Sequence, residues 1–442
     1  VLKEQQLANA KARDHFRREI FITSKFTHPH AVTYYDSSMT SPTGPLLDDA
    51  IEGGRLAADR ARVKPVECDA AEIAREVIEL SGGNDGLSMF VPYGMGAYYD
   101  LRQRTSIAAD QVHAIDGELG LHPALGGLAQ RRFAVVEGVG TGAPDGSHFT
   151  MSRRWWDGDI DGSHGYSTGV WGRIADALDD GSTPAVALSL GPGMHPALVS
   201  NSAPTLSLPG GDAAYYLVGA GEDDVSRFSF QQSVAAFGNG GIDGAYGAFR
   251  RANGLAIGFG NRLIGLGDGD SDDDGQPDSG VSYPGSDLGT NLSYAARLIA
   301  ADQGVRVIHV TTDGYDTHEN HLDRYGQLMT DLDAAIGAFL SEIDAFGLGD
   351  RVLVALTSEF GRRVRDNGSN GLDHGTASSL ALFGPMNTGR FGQHPSLGDF
   401  DDNGNLIATV GFDQYYATIA QGWFGLDPSV VAAGVDTIDG LF

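Results

Sequence analysis

Residues 305–321 read VRVIHVTTDGYDTHENH, and this stretch decides the fold. Val305, Val307, Ile308 and Val310 form a short β-branched run between Gly304 and a polar tail. Such a run suits a strand buried on both faces of a parallel sheet. Where the strand should stop, the chain sets Asp313, Asp316, His318, Glu319 and His321 within nine residues. Ligands of open α/β sheets bind at the carboxyl ends of the strands, so chemistry is expected here. Carboxylate and imidazole together favour zinc or manganese over an ion bound by oxygen alone. The competing reading is a solvated polar loop with two incidental histidines.

Downstream, Leu322, Tyr325, Leu328, Met329, Leu332, Ile336, Phe339, Leu340 and Ile343 recur at spacings of three and four, which predicts a helix. Gly347 and Gly349 end it, and residues 351–357 (RVLVALT) predict the next strand. The resulting βαβ unit is expected to be parallel and right-handed. It would set Ser358, Glu359, Phe360, Gly361 and Arg362 at the same edge as Asp316 and His318. A glycine-rich approach over residues 367–371 lets His374 return to that edge before a strand at 379–383.

Upstream, residues 291–303 predict an amphipathic helix stopped by Gly304. Residues 77–80 predict a strand that runs into SGGNDG, which places Asp85 at a strand end, although Asn-Asp-Gly is also a common turn. Residues 133–139 (FAVVEGV) predict a strand leading to Ser147 and His148, ahead of a short helix at 150–156. Ser147 is there either an anion-binding helix start or an ordinary N-cap. Residues 184–190 predict another strand, followed by His195. Helix is also expected over 68–78, from Leu121 through Leu128, and over much of 224–264.

A chain of 442 residues allows one large α/β domain or two or three smaller ones. Residues 1–75 lack an apolar stripe and read as an N-terminal arm or peripheral extension, with His28 and His30 in an exposed loop. Residues 76–442 read as the α/β domain. No stretch approaches the roughly 20 apolar residues of a membrane span. The net charge of -28 argues against a nucleic-acid partner, since phosphate contacts need basic surface. Cys68 is the only cysteine, which excludes an intrachain disulfide and leaves the compartment open. The opening Val1 suits a trimmed or mature form. The 63 glycines imply many tight turns and long functional loops.

Residues 267–280 read GDGDSDDDGQPDSG, in which Asp270, Asp272, Asp274, Gly275 and Asp278 match the spacing of calcium loops. Val281 stands where an EF-hand has its bidentate Glu, so the loop resembles thrombospondin- or dockerin-type repeats. Residues 157–162 (DGDIDG) and 399–404 (DFDDNG) are shorter, weaker matches.

Several stretches together resemble one family: SGGNDGLSMFVP at 81–92, GLHPALGGL at 120–128, the strand ending in SHF at 149, YDTH at 315–318, SEFGR at 358–362 and DHGTAS at 373–378. They resemble the DUF1501 family of exported bacterial proteins, grouped with the alkaline phosphatase/sulfatase superfamily, over about residues 76–426. The resemblance implies a three-layer sandwich, with a central, mostly parallel sheet flanked by helices. It implies one or two divalent metals at the carboxyl edge and a serine or threonine nucleophile. Carried over, Asp85, Asp316, His318, Glu359 and His374 are the expected metal ligands. Ser147 is the expected nucleophile, with Thr150 a weaker candidate. His148, Arg362 or His195 would hold the substrate's other oxygens.

Two departures stand out: a single residue separates Asp316 from His318, and Phe360 replaces the histidine of an expected Asp-His pair. The implied activity is metal-dependent hydrolysis of phosphate or sulfate esters by a periplasmic or extracellular protein. Its substrate would be a small anionic ester or a sulfated or phosphorylated polymer. The alternative is an inactive, calcium-stabilised extracellular structural protein, with assembly or homo-oligomerisation through the N-terminal arm.

Overall fold

The computed structural model describes residues 74–183, 185–191, 193–208 and 279–442. The loop carrying Asp270, Asp272, Asp274 and Asp278, the stretch 224–264, and the arm up to residue 73 with His28, His30 and Cys68 lie outside the described residues.

At the centre is β1 (Ala74–Leu80), hydrogen-bonded to parallel neighbours on both sides, β8 (Val307–Thr312) and β9 (Val352–Thr357). Beyond β8 come β6 (Ala187–Leu190) and β7 (Thr205–Leu208), also parallel. Beyond β9 come β12 (Ser378–Phe383), β5 (Phe133–Gly140) and β13 (Gly389–Gly392), and the short β14 (Val410–Gly411) also pairs with β5. Among the described strands of this sheet, only β12 runs antiparallel. That reversal turns its first residue, Ser378, towards the carboxyl ends of the other strands, and it delivers His374 to that rim. Beside the sheet lie a hairpin of β10 (Arg362–Asp366) and β11 (Leu372–His374) and a small sheet of β2 (Phe90–Val91), β3 (His113–Ala114) and β4 (Gly120–Leu121).

Side chains alternate along each central strand. Val77, Val307, Leu353 and Leu382 enter one apolar layer, and Ile78, Ile308, Val354 and Phe383 enter the other. Two short helices follow β1, α1 (Gly86–Met89) and α2 (Gly96–Leu101). Then α3 (His148–Asp157), α4 (Val170–Leu178) and α7 (Phe412–Gly422) cover the first layer with Trp155, Trp171 and Tyr415. The second layer is covered by α5 (Asp287–Ala300) and α6 (His321–Ala345) with Leu292, Leu332 and Phe339. This is the expected three-layer sandwich. From Tyr325 to Ile343 the apolar stripe of α6 is buried as its spacing predicts, with Leu328 partly buried, whereas Leu322 in the first turn is exposed. The helix closes with Gly347 in the left-handed region (φ 72°), where Gly347 N–H donates to Asp344 and Leu348 N–H to Ile343.

Two helix expectations are corrected. Residues 74–78 are strand, because pairing on both edges overrides the helix-forming composition of AREVIEL. From Leu121 to Leu128 there is no helix: Leu121 sits in β4, and only Leu128–Gln130 makes a 3-10 turn. The apolar spacing there signals burial of Leu121, Leu125 and Leu128. The Gly127 and Leu128 amides donate to the Asp333 carboxylate, which holds the segment as a turn.

Candidate metal centre

Four segments converge at the carboxyl edge of the sheet. The turn after β8 carries Asp316 and His318, Glu359 follows β9, α3 opens with His148, and His374 closes β11. The loop after β1 packs beneath them. Gly82 (φ 114°) has a conformation open to glycine, and a Cβ there would lie 2.5 Å from the Asp316 amide nitrogen.

Asp316 Oδ1 and His374 Nε2 lie 3.2 Å apart and form the shared edge of two triangles. His148 Nε2 completes the first, 3.0 Å from His374 Nε2 and 3.6 Å from Asp316 Oδ1. His318 Nε2 completes the second, 2.9 Å from His374 Nε2 and 3.0 Å from Asp316 Oδ1. Around a zinc ion with ligands at 2.0–2.1 Å, tetrahedral edges are about 3.3 Å. Both triangles are of that size.

The opposite ring nitrogens carry the stronger argument. His148 Nδ1 donates to Glu359 Oε1 at 2.8 Å, His318 Nδ1 to Asp373 Oδ1 at 3.2 Å, and His374 Nδ1 to the Gly146 carbonyl at 2.7 Å. A neutral imidazole has one proton, so these partners leave all three Nε2 lone pairs bare and facing one another. Lone pairs crowded to 3 Å repel unless a cation lies between them. Outward hydrogen bonds of this type orient metal-binding histidines and raise their basicity.

The Glu359 hydrogen bond raises the pKa of His148, whereas burial lowers that of His374. Burial pushes the Asp316 carboxyl up, but the hydrogen bond and charge of Arg362 bring it below its ordinary value. The cluster is open to solvent, with the Asp316 side chain 46% exposed and His318 43%. Phe360 lies under the imidazoles, its ring centroid 4.8 Å from that of His148 and 4.9 Å from that of His374. The aromatic at the expected histidine position thus forms an apolar wall.

Arg362 is buried, and it donates to the carbonyls of Gly82, Gly83, Tyr315 and Leu372 and to Asp316 Oδ1. It therefore sets the position of Asp316, and its guanidinium is turned away from the substrate contact expected of it. Ser147 is the N-cap of α3. Its neighbours on both sides, Gly146 and His148, are bonded into the cluster, which fixes its backbone at the rim. Thr150 lies one turn along α3.

Asp85 does not join this group. Both its oxygens are taken by Arg102, at 2.5 and 2.7 Å, and His321 Nε2 lies 3.2 Å from Oδ2. Burial raises the Asp85 carboxyl, and the charge and hydrogen bonds of Arg102 overcome this and hold it far below the usual range.

A second cluster gave little sequence signal. Glu79 of β1 accepts from Trp156 Nε1 at 3.0 Å, and its Oε2 lies 3.1 Å from His195 Nε2 and 3.3 Å from His309 Nε2. His195, expected to hold substrate oxygens, is committed here. The only hint was a carboxylate and an imidazole inside the apolar runs VIEL and VIHV. Asp373 was also missed, although it adjoins His374. In the weaker calcium-type matches, Asp159 and Asp401 are each held by amides of their own loop. Asp159 accepts from the amides of Gly162, His164 and Gly165, and Asp401 from those of Asn403 and Asn405.

Residues 275–433 match the family described as protein of unknown function DUF1501. The matched segment supplies Asp316, His318, Glu359, Asp373 and His374, while His148 and Ser147 come from outside it. The chain is also 30% identical over 108 residues to a steryl-sulfatase of Rattus norvegicus, a match covering 24% of this chain and 18% of that protein. Among solved structures, it is similar to the PsFucS1 sulfatase from Pseudoalteromonas sp. (TM-score 0.36, 12% identity, 93% of this chain and 79% of that one). It is likewise similar to the lipoteichoic acid synthase LtaP from Listeria monocytogenes (TM-score 0.37, 11% identity, 87% and 79%). A third similar structure is an alkaline phosphatase superfamily protein from Vibrio parahaemolyticus (TM-score 0.36, 10% identity, 87% and 77%).

Proposed function

We propose that the protein is an exported, metal-dependent hydrolase of phosphate or sulfate esters. The observation that carries this reading is the convergence of three imidazole Nε2 atoms on the Asp316 carboxylate, with every Nδ1 engaged outward. This donor set fits zinc or manganese. His148, Asp316, His318 and His374 would hold the ion, which supplies Lewis-acid stabilisation of negative charge on a phosphoryl or sulfuryl oxygen.

The protein's own residues do the rest. Arg362 orients Asp316, and Glu359 and Asp373 fix the rings of His148 and His318. Ser147 is the proposed nucleophile. Its hydroxyl oxygen bonds to phosphorus or sulfur as the bond to the alcohol oxygen breaks, the hydroxyl proton leaving with the alcohol, and water then cleaves the serine ester. Phe360 excludes water from beneath the site.

Metal analysis of the purified full chain, with a screen of phosphate monoesters, phosphate diesters and sulfate esters, tests the reading. Turnover that is lost in Ser147→Ala and in His374→Ala supports it. Full occupancy by calcium alone, without turnover, would sink it in favour of the structural protein.

A further inference from the structure

The residue after the nucleophile candidate and its neighbouring ligand is Phe149, and it is 91% exposed. Among the described residues the other large apolar side chains left exposed are Leu322 and Ile407, at 41% and 46%. Phe149 thus stands out as an aromatic that hides almost none of its surface. Nothing in α3 requires it there. The helix meets the core through Met151, Ser152 and Trp155, and the residue one turn beyond Phe149 on its own face is Arg153, also exposed. Side chains of a helix lean towards its N-terminus. Phe149 is the second residue of α3, directly after Ser147 and His148 in the chain.

We propose that Phe149 is the platform on which the alcohol part of the ester rests, so that the preferred substrate carries a ring with an apolar face. The inference rests on the ester-hydrolase reading. With the acid group held at the cluster, an alcohol that projects past the first turn of α3 would meet Phe149. A ring laid on Phe149 would cover surface that the fold leaves in water, and stacked rings attract beyond the area they bury.

The test compares the full-length, zinc-loaded protein with Phe149→Ala and Phe149→Trp. Substrates are phenyl and trifluoroethyl esters, each as phosphate and as sulfate. Phe149→Ala is expected to lower kcat/KM for the phenyl ester about tenfold and to change the ring-free ester less than about twofold, with Phe149→Trp retaining the preference. Equal loss on both esters, or no loss on either, overturns the platform. Absence of turnover in every wild-type assay would count against the hydrolase reading alone. The platform is then decided by calorimetric binding of phenylphosphonate and methylphosphonate. A roughly tenfold preference for the ring that Phe149→Ala removes upholds it, and equal affinities refute it.

Discussion

Two groups of histidine and carboxylate sit at opposite ends of α3, and they differ in where the imidazole protons point. At the rim, the protons of His148, His318 and His374 point outward to Glu359, Asp373 and Gly146, and bare nitrogens face inward. Under the helix, the Ala197 amide donates to His195 Nδ1, so His195 carries its proton on Nε2 and gives it to Glu79. Glu79 is thereby filled with donors. Burial pushes its carboxyl up, but the bonds from His195 and His309 overcome this and hold it well below the usual carboxylate range. Similar residue types thus leave bare imidazole nitrogens facing one another in one place and make a closed hydrogen-bond network in the other. Residue type alone does not separate them; the partner of the far ring nitrogen does.

The largest effect that could break this contrast is on metal content. His374→Ala removes the corner common to both triangles, and zinc after dialysis is expected to fall from about one equivalent to almost none. His309→Ala should leave zinc unchanged. Loss of zinc in both variants, measured by elemental analysis, would erase the distinction.

Next comes stability. Glu79→Ala strips a buried anion from three donors and is expected to cost about 3 kcal/mol in denaturant unfolding, with zinc retained. Smaller again is Glu359→Gln, which weakens the hold on His148 and should lower zinc affinity about 10- to 100-fold in chelator competition. An unchanged affinity would mean that the outward bond of His148 is incidental.

The smallest effects are in pH dependence, and they carry opposite signs. Burial lowers His309 to about 4. The fold therefore favours the neutral ring. Its contribution is full above the unfolded value of about 6.5 and is lost as pH falls towards 4. Denaturant midpoints of His309→Gln should be flatter than wild type across that window. Glu76, three residues before Glu79 on β1, is fully buried, and neither of its carboxyl oxygens has a hydrogen-bond partner among the described residues. Burial raises its pKa well above the ordinary value. Its contribution is present at acid pH and lost as pH rises through the folded value, so Glu76→Gln should gain stability near neutrality. A Glu76→Gln variant no more stable than wild type at pH 7 would contradict this.

Much of the frame was legible in the sequence. β-branched runs marked β1, β5, β8 and β9, and the spacing of apolar residues marked α6, because burial on both faces or on one stripe leaves a local imprint. Asp316, His318, Glu359 and His374 were legible as a group because each adjoins the end of a strand. What escaped depends on partners far apart in the chain. His148 meets Glu359 across 211 positions, a pairing that no local pattern encodes. Asp85 looked like a ligand until Arg102 took both its oxygens. Arg362 looked like an anion contact until loop carbonyls absorbed its donors. The antiparallel course of β12 had no local mark either, yet it explains the arrival of His374 at the rim.

The ten-residue helix α3 is fastened at its first residue to the rim and at its ninth, through Trp156, to Glu79. A rod about 15 Å long that is clamped at both ends resists pivoting. Ion uptake at one clamp should then be felt at the other, as slower amide deuteration in the last turn around Asp157, far from any ligand atom.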